Sequence, residues 1–589
     1  MSQLERLLAA LSVLLVFLYV LLRAVHVPTF HDEAATFFHY VVTGRFLPYN
    51  SHWDANNHFL NSALAWLCYR FIGPEQIWIR LPNVLSFLVY GYFAVRISFE
   101  LKNGLVRWLT LIAILTAAFP LEFFALARGY AMSLAFLLAA VFYATRYLRS
   151  AQLNDQLMLW FWMILAVAAS LTLTNTYLIF IGLVFLAILT KVDQQRWNHL
   201  GAWFILGVSV FAAVTYYGFE LKDRGLLYTG LADGFIQVTV RSLVRYQLIK
   251  ETPVFSAIIA VLGALCSLIL LLPLALNRLP WTAIRLSAFL LLFNAVGSIL
   301  LNLLFGMNFP ENRVGMYYIP LFIFTVGGAL DHLSVTIRNA KWASLLFLFF
   351  PIHLLAHFNF NTTILWPKWH ASDSIYAKLL QHQRNTGEPL MISAEYLNEL
   401  GWAYYNFQNN SEMQLLQRDP VPDTLADMII ARPSDFDFAS IPYDTMYHDH
   451  SNDIYLLSRT EPIDWSDPVA PKLVRSKING SDEFYELLND SLQHLPGNYG
   501  MFQFKAVVTC RSEPFQGQLV ISSEAPNDQG TYNAIPMHWI RSSWQGDTLM
   551  IKRTYYFSEQ ASIIKVYFWN IHKQELNVDV LDLQFSIPE

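Results

Sequence analysis

From its start to about Phe358 the chain alternates long apolar runs with short polar ones, and beyond Trp366 it reads like ordinary soluble protein. A bilayer core is crossed by roughly 20 mostly apolar residues per helix. On that measure Leu7–Val25 predicts a first spanning helix. Ile79–Ile97, Trp108–Phe119, Tyr130–Tyr147, Leu159–Leu173, Tyr177–Thr190, Gly201–Tyr216, Val254–Leu276, Leu286–Phe305, Met316–Leu330 and Ala343–His357 follow, making about eleven in all. The first run also has the length of a signal peptide. Arg23 and His26 stand where small residues should precede a cleavage site, which favours an uncleaved helix.

The polar part alternates first between helix-like and strand-like stretches. Ser374–Arg384 and Ala394–Phe407 are helix-like, while Leu390–Ile392, Met428–Ala431 and Asp453–Leu457 are strand-like. That predicts a small α/β domain over residues 366–462. From Gly500 the period becomes two, in Met501–Thr509, Gln518–Ser522, Thr548–Tyr556, Ile563–Trp569 and Leu576–Phe585, with turns at Gln516-Gly517 and Asp528-Gln529-Gly530. These runs predict a β-sandwich over residues 470–589, joined through the Asp- and Pro-rich linker Asp464–Pro471. Trp539, Trp544 and Tyr532 would suit carbohydrate stacking if exposed, and core filling if not. The expected fold is thus a multi-spanning α-helical domain over residues 1–360, with a large first outer loop over residues 28–78, followed by these two soluble domains.

Composition and charge narrow the function. Of the 589 residues 55% are hydrophobic and 14% charged, against about 25% charged in soluble chains. A net charge of −5 without a basic block excludes nucleic acid as the default partner. Three scattered cysteines, Cys68, Cys266 and Cys510, suggest neither a disulfide framework nor a metal cluster. With the amino terminus cytoplasmic, five successive short loops place Lys102 and Arg107, Arg146 and Arg149, Lys191 and Arg196, Arg278 and Arg285, and Arg338 and Lys341 inside. The loop Pro28–Gln76, the basic segment Gly218–Pro253, the turn Gly306–Gly315 and the whole carboxy-terminal region then lie outside. A bacterial inner membrane with a periplasmic soluble half fits this topology. Sequons starting at Asn361, Asn409 and Asn479 leave an endoplasmic reticulum location open.

The first outer loop carries the richest chemistry. Asp32 and Glu33 follow the first helix closely, and a carboxylate pair there suits proton abstraction from a hydroxyl or coordination of a divalent cation beside a phosphate. The plainer alternative is a helix start capped by Asp32. Downstream come Asn56-Asn57-His58-Phe59-Leu60-Asn61 and Arg80-Leu81-Pro82-Asn83. Phe124-Ala125-Leu126-Ala127-Arg128-Gly129-Tyr130-Ala131-Met132 and Pro310-Glu311-Asn312-Arg313, followed by Tyr318-Ile319-Pro320-Leu321, complete the series.

In order and in shared membrane side these elements resemble the type C (GT-C) membrane glycosyltransferases, the superfamily of protein O-mannosyltransferases and the lipid A aminoarabinose transferase. The resemblance covers roughly residues 1–360. It implies transfer of a hexosyl or pentosyl group from a polyprenyl-phosphate-linked donor to an acceptor (a membrane lipid, a glycan or a protein) on the outer side. Asp32 would be the general base or a metal ligand, and Glu33 would position it. Arg128 and Arg313, forked donors suited to phosphate, would stabilise the departing group; their alternative is snorkelling at the interface. His58, Asn57 and Tyr130 complete the expected substrate contacts, although an isolated His is often structural and an Asn often a cap. Leu126 stands where relatives carry an acid. Glu122, four residues earlier, would have to substitute in holding Mg²⁺ or Mn²⁺, so the cofactor stays open. Two rival classes are a transporter or flippase, for which only Pro273 and Asn294 interrupt the mid-span stretches, and a non-catalytic glycan-binding membrane protein.

Overall fold

The computed structural model describes residues 2–191, 196–228, 230–250, 253–276, 279–366, 370–387, 389–411, 413–417, 421–434, 437–450, 452–511, 514–525 and 530–589. Arg278, the side chain of Lys191 and the Asp528-Gln529 turn lie outside the described residues. The chain divides into two compact bodies, one formed by Met1–Val27 with Arg45–Leu365 and the other by Pro28–Gly44 with Trp366–Glu589. The segment predicted as the first outer loop, residues 28–78, is therefore split between them.

The first body is helical, and the predicted apolar runs fall on helices, with breaks at Ala117 inside Trp108–Phe119 and at Ser170 inside Leu159–Leu173. Among the described residues eight helices are long and apolar enough to cross a membrane: Gln3–His26, Gln76–Ser98, Gly129–Ser150, Leu171–Thr190, Arg196–Asp223, Pro253–Ala275, Ala283–Phe305 and Arg338–Ala356. A ninth crossing arises if Gly104–Thr116 and Ala118–Phe124, bent by 52° at their junction, form one broken span. Leu153–Ala169 and Tyr318–Leu333 are apolar but shorter. On the first helix Leu7, Leu11, Leu15, Leu18 and Leu22 remain exposed while Ala9, Val20 and Ala24 are buried. An apolar face of that size is stable only against lipid. The chain is an integral membrane protein.

Local chemistry sets the helix ends. Ser2 and Glu5 form a capping box at the first helix. Asn103 accepts from the amides of Leu105 and Val106. Glu5 pairs with Arg107 at 2.9 Å, Glu100 with Arg149 at 3.2 Å, and Asp331 accepts from the amides of Lys102 and Asn103. These residues come from loops that the charge rule placed on one side, and they meet at one end of the bundle. Arg23, eighteen residues beyond Glu5 on the same helix, stands about 27 Å away along its axis. There it meets Glu122 at 3.5 Å and the carbonyls of Asn359 and Thr362. Asn294 is locked by Asn175, Thr176 and the carbonyl of Leu290, so it braces helices.

In the second body, four strands form a sheet in the order β1-β2-β4-β3: β1 (Ile392–Ala394), β2 (Met428–Ala431), β3 (Tyr443–Asp449) and β4 (Ile454–Arg459). β1 and β2 are parallel, the other pairs antiparallel. Helices Asp373–Thr386 and Glu399–Gln408 cover it, burying Leu379, Trp402 and Tyr405 against Ile392, Ile430 and Leu456. The predicted second helix begins later than Ala394, because Ala394 belongs to β1 and Tyr396–Asn398 is a 3-10 turn.

Eight further strands build two four-stranded sheets. One has the order β10-β7-β12-β5 and the other β6-β11-β8-β9. Here β5 is Lys477–Gly480, β6 Phe484–Ser491, β7 Tyr499–Cys510, β8 Gln518–Glu524, β9 Tyr532–Pro536, β10 Gln545–Tyr556, β11 Ile563–Trp569 and β12 Leu576–Ser586. In β7 burial alternates from Gly500 to Cys510, as a half-buried antiparallel strand requires. The linker is pinned: Trp465 bridges Pro588, and Val469 bridges Phe585. Trp539 and Trp544 fill the core, while Tyr532 is exposed. All three cysteines are free.

Candidate functional site

The short helix His31–Thr36 begins with Phe30 at its cap position and makes no side-chain cap bond there. Asp32 is therefore not the capping residue. Asp32 and Glu33 occupy the first turn, where the amino end of the helix dipole favours negative charge. Glu33 is buried, and the Asp32 carbonyl accepts from the Thr36 hydroxyl at 2.9 Å. This helix belongs to the second body, where Phe37 just beyond it packs edge-on against Tyr404 and Phe407.

The remaining candidates lie in the first body. Arg128 is the amino-terminal boundary of Gly129–Ser150 and is completely buried. Its guanidinium carbon lies 5.7 Å from the centre of the Tyr130 ring. Arg313, in the short turn Asn312–Gly315, lies 6.0 Å from the same ring, and its Nε–H donates to Tyr130 Oη at 3.2 Å. His58 meets that ring edge-on, 4.5 Å between centres. Residues 58, 128, 130 and 313, spread over 255 positions, thus converge on one aromatic side chain.

Three features hold the cluster. His58 Nδ1–H donates to the carbonyl of Ala169 at 2.9 Å, satisfying one of the unpaired carbonyls at the end of helix Leu153–Ala169. Gly129 permits this approach: a Cβ there would lie 1.9 Å from the Ala169 oxygen and 2.9 Å from His58 Cβ. Asn61 donates to the carbonyl of Ala127, one residue before Arg128, and Asn83 donates to Asn61. The Asn-Asn-His-x-x-Asn and Arg-x-Pro-Asn elements are thereby tied to the turn that presents Arg128. Arg80, whose role the sequence does not reveal, donates to the carbonyls of Ala24 and Val27 and closes the first helix.

The electrostatics follow from burial. Desolvation pushes the His58 imidazole well below its ordinary value, and the charges of Arg128 and Arg313 push in the same direction. His58 is a neutral ring. Near Arg313, Tyr228 donates to Glu311 at 2.9 Å. Burial raises the Tyr246 phenol, with Arg245 opposing most strongly. The segment Arg241–Leu248 thus brings a further cation, Arg245, near Arg313.

Two expected contacts are engaged elsewhere. Asn57 donates to the carbonyl of Phe46 and to Ser51, and accepts from Ser62, so its amide braces the loop. Glu122 is buried against Arg23 and accepts from the amides of Ile364 and Leu365. A guanidinium already supplies its counter-charge, and this donor set does not fit a divalent cation. Among the described residues no three His, Cys, Asp or Glu side chains are grouped as a metal site requires.

No family model matches the chain, and no curated protein sequence matches it. Among solved structures, ArnT from Cupriavidus metallidurans in the apo state is similar with TM-score 0.43 and 13% identity, over 77% of this chain and 97% of that one. The same enzyme bound to undecaprenyl phosphate gives 0.45 and 12%, over 78% and 98%. The Archaeoglobus fulgidus oligosaccharyltransferase in complex with Zn and sulfate gives 0.39 and 8%, over 98% of both chains. Likeness at this level leaves the chemistry to be argued from this chain's own residues.

Proposed function

We propose that the chain is an integral-membrane glycosyltransferase that takes a hexosyl or pentosyl group from a polyprenyl-phosphate donor and passes it to an acceptor on the periplasmic side of a bacterial inner membrane. The observation that carries this reading is the convergence of Arg128, Arg313, Tyr130 and neutral His58 at the bundle end to which charge distribution assigns the outer loops. Two guanidinium forks and a phenol at the end of apolar helices suit a phosphate whose hydrocarbon tail stays in lipid. In this reading they bind the phosphate and stabilise the charge that accumulates on it as the glycosidic bond breaks, an effect typically worth 10²–10³ in rate per donor. Asp32 takes the proton of the acceptor hydroxyl and Glu33 positions it. No step is routed through a metal ion.

The test is sugar transfer in proteoliposomes supplied with polyprenyl-phosphate hexose and pentose. The wild type should transfer one of them. Arg128→Ala and Arg313→Ala should each lose about 10²-fold in turnover, and Asp32→Asn should lose nearly all. Folded arginine variants with full activity would remove the phosphate site from the mechanism, and full activity of folded Asp32→Asn would remove the base.

A further inference from the structure

The cluster sorts by hydrogen-bond polarity. Guanidinium groups only donate. The Tyr130 oxygen receives one such bond from Arg313. His58 is the exception: a carbonyl can only accept, so the contact with Ala169 fixes the proton on Nδ1 and leaves Nε2 with its lone pair. His58 is 4% exposed, and Nε2 is buried with no hydrogen-bond partner among the described residues. A buried acceptor without a donor is destabilising. It is also unsuited to the bare oxygens of a phosphate, since lone pair would face lone pair.

We infer that His58 is a specificity residue of the donor site, its Nε2 accepting a hydrogen bond from a ring hydroxyl of the sugar carried by the lipid phosphate. This rests on the donor reading above and deepens it. The arginines and Tyr130 hold the phosphate common to every carrier, and His58 distinguishes a loaded carrier from a spent one. Sites built around a buried acceptor reject ligands that lack the matching hydroxyl far more strongly than apolar pockets reject a missing methylene.

The experiment measures binding to the full chain in nanodiscs. The probes are a sugar-free polyprenyl phosphate, polyprenyl-phosphate hexose and pentose, and their monodeoxy analogues. His58→Asn keeps an N–H for the Ala169 carbonyl and loses the acceptor at the Nε2 position. His58→Gln keeps an acceptor there and loses the N–H to Ala169. We expect His58→Asn to weaken the sugar-bearing carrier at least tenfold and to leave the sugar-free carrier within twofold, with His58→Gln retaining part of the preference. One monodeoxy analogue should weaken on the wild type by a similar factor, a comparison that needs no variant to fold. Parallel weakening of both carriers, or no analogue that weakens, would overturn the inference alone. Failure of the wild type to bind any carrier would overturn the donor reading with it.

Discussion

Gly129→Ala offers a direct test of the geometry around which the cluster is built. The new methyl would lie 1.9 Å from the Ala169 carbonyl oxygen and 2.9 Å from His58 Cβ, whereas ordinary contact begins at 3.4 Å. The oxygen is backbone at the end of helix Leu153–Ala169, so relief requires the two helices to part by about 1.5 Å rather than a rotamer to turn. Overpacking of this kind costs about 1–3 kcal/mol. Parting the helices also breaks the His58–Ala169 hydrogen bond, for about 1 kcal/mol more. The expected destabilisation is therefore about 2–4 kcal/mol. Gly104→Ala and Gly182→Ala are the controls, since a Cβ at either meets nothing within 4 Å and both sit in helices, where Ala is neutral to favourable by up to about 1 kcal/mol. Thermal unfolding of the purified chain in nanodiscs, followed by tryptophan fluorescence, compares the three. Gly129→Ala should melt well below the controls and lose affinity for polyprenyl phosphate. If it melts with them, the close crossing is absent and the placement of His58 and Arg128 is refuted.

Other expectations concern separate parts of the molecule. Glu122→Gln leaves the buried Arg23 without its counter-ion and should destabilise by about 3–5 kcal/mol; the loss should be the same in EDTA as in Mg²⁺ or Mn²⁺, and a larger loss with either cation than in EDTA would show that Glu122 is a metal ligand. Tyr130→Phe removes the oxygen bonded to Arg313 and should weaken polyprenyl phosphate binding about tenfold, about 1.4 kcal/mol; unchanged affinity would separate Tyr130 from the phosphate site. In the soluble body, burial and then His572 lower His538 from 6.5 to about 3. Between those values the unfolded chain binds a proton that the folded chain does not. The stabilisation is present above pH 6.5 and is lost as pH falls toward 3, at up to about 1.4 kcal/mol per pH unit. Unfolding midpoints from pH 7.5 to 4.5 should show this slope in the wild type and less of it in His538→Gln; identical slopes would exclude His538 as its source.

Much of the architecture is local and was legible along the chain. The apolar runs became helices because helix formation and membrane burial both depend on contiguous apolar length, but among the described residues eight, or nine with the bent pair, are long and apolar enough to span, fewer than the eleven expected. Period-two runs became β7, β8, β10, β11 and β12 because a half-buried strand must alternate. β5, β6 and β9 carry no legible period: the first and last are short, and a bulge facing the step from Val566 to Tyr567 breaks the alternation of β6. β3 is buried only at its two ends, Tyr443 and Asp449, and has no apolar period to detect.

The motifs His58, Arg128-Gly129-Tyr130 and Arg313 were visible as residue types that suit a lipid-borne phosphate. Their meeting was not, since no local pattern encodes contact across 255 positions. Only the tertiary structure decided that Arg80 closes the first helix, that Asn57 and Glu122 are engaged within the fold, that Trp539 and Trp544 are core, and that Pro28–Gly44 belongs with the carboxy-terminal body. The physical reason is common to all four. A sequence fixes what each side chain is able to donate, accept or bury, whereas the partner that uses this capacity is chosen by which backbone segments packing brings together.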